Sequence, residues 1–248
     1  MIVVAGLRRS YGAIEALRGV DLVVPRGAFY ALVGANGAGK STAVRILSGL
    51  ISRDAGELLV LGLDPHRAGR ELKRRIGVVP DFPTLYPELT PRENLFYTCR
   101  LREIGREEAA ARLAELTEAL GIDDALDQPC GRLSHGTLKK TALVAAMLHA
   151  PALLFLDEPF EGIDPVSTHA IRRLLDGLRQ RGVTIFLTSH VMPMVEGMAS
   201  RVAILDAGII AFEGTVDQAV GSCASLEEAV LDRLGDGAAE PELAWYLL

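Results

Sequence analysis

The chain has 248 residues, of which 49% are hydrophobic and 23% are charged. This composition is typical of a globular protein, and the length fits one lobed domain or two small ones. There are 26 basic and 32 acidic residues, so the formal net charge is −6. We therefore expect no nucleic-acid partner, because broad binding to nucleic acid needs a concentrated basic surface.

The sequence also indicates where the protein resides. No apolar run approaches the roughly 18 residues that suggest a membrane span. The N-terminal stretch "MIVVAGLRRSYG" lacks a cationic start followed by a long apolar core, so we expect no secretion signal. The scattered cysteines, Cys99, Cys130 and Cys223, are interpreted as reduced thiols. Together these features predict a soluble cytosolic protein.

The first clear element is an apolar strand from Ala28 to Val33, followed by "GANGAGKST". This stretch matches Gly-x-x-x-x-Gly-Lys-Ser/Thr and leads into a predicted helix that begins near Lys40. Glycines let successive backbone N–H groups wrap phosphate oxygens, and the start of a helix adds free N–H groups and a positive dipole. The alternative is a flexible loop, but the strand before it and the helix after it favour a nucleotide-binding loop.

In such a loop Lys40 reaches the β- and γ-phosphates of a nucleoside triphosphate, and the Ser41 hydroxyl binds Mg²⁺. The candidate nucleotide-binding residues of the loop are Gly34, Ala35, Asn36, Gly37, Ala38, Gly39, Lys40, Ser41 and Thr42.

The middle of the chain has a different pattern, with helices and no convincing strand from about Tyr86 to Leu148. In "TPRENL" we expect Thr90 to cap a helix, Pro91 to be its first residue and Glu93 to complete a capping box. "REEAAARLAELTEALG" predicts a second amphipathic helix that ends at its glycine. We therefore predict a helical subdomain, residues 86–148, inserted into an α/β core of residues 1–85 and 149–215, with a tail at 216–248.

Further apolar runs predict buried strands at Leu153–Leu156, Val183–Leu187 and Val202–Leu205. A helical pattern, "STHAIRRLLDGLRQRG", lies between the first two runs, and this alternation indicates a parallel sheet covered by helices. "ILDAGIIAF" predicts a hairpin in which Gly208 takes a positive-φ turn position.

The strand in "ALLFLDEP" ends in a pair of acidic residues. A phosphate loop needs a second Mg²⁺ anchor at the end of a neighbouring strand, and Asp157 is the candidate. The adjacent Glu158 is the candidate for orienting or activating the attacking water. The alternative is a solvated acidic pair, which is less expected at the end of a buried strand beside a phosphate loop.

Four further features resemble motifs of the ATP-binding cassette (ABC) proteins. "LSHGTLKK", residues 133–140, resembles their Leu-Ser-Gly-Gly-Gln signature, and "EGIDP" resembles their D-loop. "TSH", which ends at His190, resembles their switch histidine. Tyr11 lies where the family stacks an aromatic ring on adenine. The motifs follow the family's order over roughly residues 2 to 215.

The resemblance implies an ATP-binding subunit of an ABC transporter, with ATP and Mg²⁺ as cofactors. In this family two subunits meet head to tail, and the signature of one, here Ser134 and Gly136, contacts ATP held by the other. The fold implied is α/β: a P-loop NTPase core with a mostly parallel sheet, an N-terminal antiparallel β part and an inserted helical subdomain. Each of three residues also has a structural interpretation. Ser134 could be a plain helix cap, His190 a structural histidine and Tyr11 a packing residue.

The sequence departs from the family pattern at two places. Asp81, in "GVVPDF", replaces a glutamine that can touch both Mg²⁺ and water, so it adds a negative charge near the phosphates. In the signature, His135 replaces a glycine and Thr137 replaces a glutamine. The acidic residue at 81 and the stretches "DFPTLYPELTPRENL" and "RVAILDAGIIAFEGT" resemble the drug- and polysaccharide-exporting branch. "SLEEAVLDRLG" resembles a short helix near the end of export-type subunits, and "AWYLL" is expected to pack back or to meet a partner.

We therefore expect an ATPase that powers an integral membrane permease from the inner face of the cell membrane, paired with an identical or homologous subunit. The catalytic candidates are Lys40, Asp81, Glu158 and His190, and the Mg²⁺ ligands are Ser41, Asp81 and Asp157. The alternatives are a regulatory subunit that binds ATP with little hydrolysis, a soluble cassette ATPase acting on DNA or ribosomes, and a small-molecule kinase.

His149 is interpreted as a structural residue inside a helix. His66, His135 and His169 show no convincing metal-ligand spacing.

Overall fold

The computed structural model describes residues 1–235 and builds them into two sheets flanked by helices. The strands are β1 (Ile2–Tyr11), β2 (Ile14–Val24), β3 (Phe29–Val33), β4 (Ala55–Val60), β5 (Ile76–Val79), β6 (Leu153–Asp157), β7 (Thr184–Ser189), β8 (Arg201–Asp206) and β9 (Ile209–Thr215). The α-helices are α1 (Lys40–Leu47), α2 (Gly69–Arg75), α3 (Pro91–Leu101), α4 (Arg106–Leu120), α5 (His135–Met147), α6 (Pro165–Gln180), α7 (Met192–Glu196), α8 (Val216–Val220) and α9 (Leu226–Leu234).

The larger sheet has six strands in the order β5-β6-β7-β3-β8-β9. Its first five strands are parallel, and β9 pairs antiparallel with β8. Every residue of β3, β6 and β7 is buried, which explains why these strands read as continuous apolar runs. The mostly parallel sheet is thus confirmed. Because the carboxyl ends of parallel strands share one edge, residues that follow β3, β5, β6 and β7 are brought together there.

The smaller sheet is antiparallel, in the order β2-β1-β4, which confirms the N-terminal antiparallel part. One of its faces buries Ile2, Val4 and Leu7 in a core cluster that also contains Tyr30 and Phe186 of the larger sheet. The two sheets therefore share a core, and the end of β1 is held close to the phosphate loop.

The helical segment is built as its local signals predict. Glu93 N–H donates to Thr90 Oγ1 at 3.2 Å, Thr90 N–H donates to Glu93 Oε2 at 2.8 Å, and Pro91 is the first residue of α3. Gly121 ends α4 in the left-handed conformation, with φ 59°. The structure describes all of residues 86–148, and their regular elements are helical, as expected.

The sequence also made predictions about Gly208 and His149. Gly208 has φ 82° in the β8–β9 turn, as predicted. The interpretation of His149 as a helix-interior residue is wrong, because α5 ends two residues earlier, at Met147. His149 instead lies in the following turn, where Nε2 lies 2.8 Å from the Ile76 carbonyl oxygen and burial lowers its pKa.

The first part of the predicted tail is packed rather than free. The short helix expected in "SLEEAVLDRLG" is α9, and its Leu226 and Val230 are buried in the larger core cluster. The "AWYLL" stretch lies outside the described residues. None of the helices in residues 1–235 combines the length and apolarity that crossing a membrane requires.

Candidate nucleotide-binding site

A cavity of about 450 Å³ opens at the carboxyl edge of the larger sheet. It is lined by Tyr11, Ala16, Asn36, Gly37, Gly39, Lys40, Ser41, Thr42, Asp81, Glu158, Glu161 and His190. Except for Ala16 and Glu161, these are candidate residues from the sequence. They come from five separate stretches of the chain that the fold brings together.

The loop between β3 and α1 requires glycine at its ends. Gly39 has φ 110°, and a side chain there would collide with the Ala16 carbonyl oxygen. A side chain at Gly34 would collide in the same way with the Leu205 carbonyl oxygen. The loop can therefore pack tightly against its neighbours while the first residues of α1 line the cavity with their free N–H groups.

Lys40 lies at the base of this loop with 6% of its surface exposed. Its ammonium donates to the carbonyl oxygens of Gly34 at 2.8 Å and Ala35 at 3.2 Å, and lies 3.7 Å from Glu158 Oε1. Gly34 and Ala35 thus contact the lysine and do not line the cavity. Ala38 is also buried, and its carbonyl accepts from Gly208 N–H at 3.0 Å. These three candidate residues have backbone roles.

Ser41 and Asp157 lie side by side, as a shared Mg²⁺ site requires. Ser41 Oγ donates to Asp157 Oδ1 at 3.2 Å, and Thr188 Oγ1 donates to the same oxygen at 2.5 Å. Asp157 is only 3% exposed. A hydroxyl and one carboxylate fit Mg²⁺, which takes few protein ligands and completes its shell with phosphate and water oxygens. The sequence reading missed Thr188.

Glu158 is held in a strained position directly after β6. Its φ is 47°, a conformation that is uncommon for a residue with a side chain and that clusters at functional sites. Its N–H donates to the carbonyl and the hydroxyl oxygen of Thr188, both at 3.2 Å. Glu158 Oε2 lies 3.0 Å from His190 Nδ1 and accepts from His190 N–H at 3.3 Å. The carboxylate therefore lies between Lys40 and His190.

The remaining candidates on the cavity wall are Tyr11 and Asp81. Tyr11 is 44% exposed, and the Arg9 guanidinium carbon lies 4.9 Å from the centre of its ring. An exposed ring braced by a cation suits stacking against a nucleobase. Asp81 Oδ1 lies 3.5 Å from Lys139 Nζ, a contact that the sequence reading did not foresee.

Ser134 and Gly136 do not line the cavity. Ser134 caps α5, since its Oγ accepts from Thr137 N–H at 3.2 Å. Gly136 lies against Gly162 in the "EGIDP" loop, where an added side-chain carbon would be 3.3 Å from the Gly162 carbonyl oxygen. Within a single chain, the signature residues are thus separate from the phosphate loop.

Comparison with known proteins agrees with this architecture. The family model described as "ABC transporter" matches residues 17–161, more than half of the chain. The protein therefore belongs to the ABC transporter family.

Two relatives and one solved structure show which ABC proteins this chain is similar to. The chain is 39% identical over 211 residues to the daunorubicin resistance ATP-binding protein DrrA2 of Streptomyces coeruleorubidus. The aligned region covers 85% of this chain and 66% of the relative. The chain is 36% identical over 222 residues to the Nod factor export ATP-binding protein I of Rhizobium meliloti, covering 88% and 66%. The chain thus spans about two thirds of these relatives' length. A structure described as an ATP-binding subunit of an ABC transporter superposes with a TM-score of 0.88 at 30% identity, covering 95% of this chain and all of that one. The resemblance to export-type ABC subunits is confirmed.

Proposed function

We propose that this protein is the ATP-binding and ATP-hydrolysing subunit of an ABC exporter. The observation that carries the proposal is the convergence of Lys40, Ser41, Asp157, Glu158 and His190 at one cavity. These residues lie at or beyond the carboxyl ends of three different strands, and a structural loop or a solvated acidic pair would not bring them together.

The binding step follows from the loop. The Lys40 ammonium exchanges its loop carbonyls for the β- and γ-phosphate oxygens, and the N–H groups at the start of α1 surround the same oxygens. Ser41 and Asp157 would hold the metal ion, with Asp81 on the same cavity wall as a further candidate ligand. Bound Mg²⁺ supplies the positive charge that offsets the phosphates. The ring of Tyr11 stacks on the adenine.

The residues that follow β6 and β7 carry out the hydrolytic step. The Glu158 carboxylate accepts a hydrogen bond from the attacking water and orients it toward the γ-phosphate. The His190 ring, hydrogen-bonded to that carboxylate, presents its other nitrogen to the γ-phosphate. Glu158 acts as general base for this water as well as positioning it, and His190 acts by positioning, which suits phosphoryl transfer because little other covalent chemistry is required of the protein.

A second subunit is needed to complete the site. Ser134 is exposed at the start of α5, a helix end that attracts anions. We propose that it meets ATP held by another copy or a homologue, so that nucleotide binding and pairing of subunits reinforce each other. The division into a core (1–85 and 149–215), a helical subdomain (86–148) and a tail (216–248) belongs to the same proposal.

The permease has a candidate docking surface beside β5. A groove of about 280 Å³ lies between this strand and the helical segment, with Leu50, Pro80, Leu85, Lys73 and Arg102 among its lining residues. Such a surface fits an apolar permease segment that carries an acidic residue. In this arrangement the subunit lies on the cytoplasmic face of the membrane.

The test is an ATPase assay on the chain together with the integral membrane protein that co-purifies with it. We expect turnover that is lost in Glu158→Gln, together with co-purification of the integral membrane protein. If the wild type and Glu158→Gln turn over equally slowly, the regulatory alternative is correct. If the chain purifies with ribosomes or DNA and not with a membrane protein, the transport proposal is wrong.

A further inference from the structure

A buried lysine links the helical segment to the catalytic acids. Lys139 lies in the second turn of α5 and is 2% exposed. Its ammonium donates to the Glu158 carbonyl oxygen at 2.7 Å and lies 3.5 Å from Asp81 Oδ1. A buried ammonium is costly unless it is paired, so these two contacts require an explanation beyond packing.

The charges around the cavity supply that explanation. Asp81, Glu158 and Glu161 line the cavity and Asp157 lies directly beside it, whereas Lys40 is the only lysine or arginine on its wall among residues 1–235. A nucleoside triphosphate brings further negative charge. An aspartate at position 81 therefore repels the ligand unless a nearby cation offsets it, and Lys139 is the cation in contact with it.

The contact with Glu158 adds a second effect. Glu158 holds a left-handed backbone conformation, and its carbonyl oxygen accepts a hydrogen bond from the Lys139 ammonium. Lys139 therefore connects α5, the helix that Ser134 caps, directly to the main chain of Glu158.

We propose that Lys139 is a positioning residue that makes an acid at position 81 compatible with nucleotide binding. It offsets the Asp81 charge and fixes the Glu158 main chain, so that the carboxylate is aimed at the reacting phosphate. This inference rests on the proposed function. The competing explanation is that the Lys139–Asp81 pair only stabilises the fold.

A double-mutant cycle separates these explanations. The proteins are the wild type, Lys139→Met, Asp81→Gln and the double variant, measured for ATP affinity by calorimetry with Mg²⁺ and with EDTA, and for kcat with the permease. We expect Lys139→Met to weaken MgATP binding about tenfold, which is the usual size of coupling within a charged pair. We expect the double variant to recover to within about threefold of Asp81→Gln, because the charge that Lys139 offsets is gone.

A matched control removes an ion pair outside the cavity. Arg53 binds Asp64 through two hydrogen bonds of 3.1 and 2.8 Å, so Arg53→Met should lower the melting temperature without changing ATP affinity. Lys139→Arg keeps the charge and should retain affinity better than Lys139→Met.

Several outcomes would overturn the inference. Lys139→Met could bind MgATP as the wild type does, or the double variant could be no better than Lys139→Met. If Lys139→Met does not fold, the double variant decides, since the proposal predicts that it folds and binds. A Lys40→Ala variant that still binds ATP normally would instead refute the proposed function itself.

Discussion

The two sides of the proposed ATP site are built in different ways. On the phosphate-loop side, Lys40 and Asp157 are 6% and 3% exposed, and each is fixed by hydrogen bonds inside its own chain. On the signature side, Ser134 is exposed, and within the described residues 1–235 its side chain hydrogen-bonds only to Thr137, in the first turn of α5. On the proposed function, we therefore expect one chain to bind a nucleotide by itself and turnover to need a partner.

From this difference we expect that substitutions can disrupt nucleotide binding, subunit pairing and hydrolysis separately. Changes on the phosphate-loop side act on chemistry or affinity within one chain. Changes on the signature side act on association and leave that affinity unchanged. Changes in the Arg53–Asp64 ion pair, which lies outside the cavity, should affect stability alone.

The largest effect is expected from Glu158→Gln. Loss of the carboxylate should lower kcat by about 10²–10⁴-fold, the usual contribution of a general base, while MgATP affinity stays within a few-fold. Steady-state kinetics with the permease and calorimetry on the isolated chain measure the two quantities. Glu161→Gln removes a charge from the same cavity and is the matched control, for which we expect a much smaller loss of kcat. Equal losses in both variants would mean that charge, and not the placement of water, matters.

A smaller effect is expected at the signature. Ser134→Asp keeps a good helix cap but places a carboxylate against the partner's γ-phosphate, and Ser134→Asn keeps the cap without the charge. ATP-dependent dimerisation in a Glu158→Gln background should weaken about tenfold or more in Ser134→Asp, and far less in Ser134→Asn. Sedimentation with MgATP measures this. The idea fails if both variants pair as tightly as the parent, or if Ser134→Asp also loses MgATP affinity as a monomer.

The smallest effect is expected in the scaffold, at Asp64→Asn. The Arg53 guanidinium holds the pKa of Asp64 well below its usual range, so this carboxylate stabilises the fold above the pKa of the unfolded state. That contribution, about 1 kcal/mol for a partly exposed pair, begins to be lost as pH falls below about 4 and continues to be lost as pH falls through the lower pKa of the folded state. Urea unfolding followed from neutral to strongly acidic pH should show the difference between the wild type and Asp64→Asn shrinking as the pH falls. A constant difference across this range would contradict the assignment.

The sequence predicted the elements whose signals are local. Buried strands such as β6 are short unbroken apolar runs, and the start of α3 is specified by Thr90, Pro91 and Glu93 together. The phosphate loop and the acids after β6 could be placed together because carboxyl ends of parallel strands share an edge. β5 was not predicted as a strand, since it has only four residues, one of them glycine.

Long-range contacts gave no sequence signal. Lys139 is a lysine in a helix, and its partner Asp81 lies 58 residues away, so neither its burial nor its contact could be predicted. Thr188 is one of three polar residues in β7, and only the register between β6 and β7 places it against Asp157. Ala16 joins the cavity because β2 passes close to Gly39.

The central claim is that one chain holds MgATP through the Lys40 loop. The most direct test is calorimetric titration of the purified chain with MgATP, beside the Lys40→Ala variant. We expect saturable binding by the wild type and none by Lys40→Ala, with both proteins folded by circular dichroism. No binding by the wild type, or equal binding by the two proteins, would contradict the account.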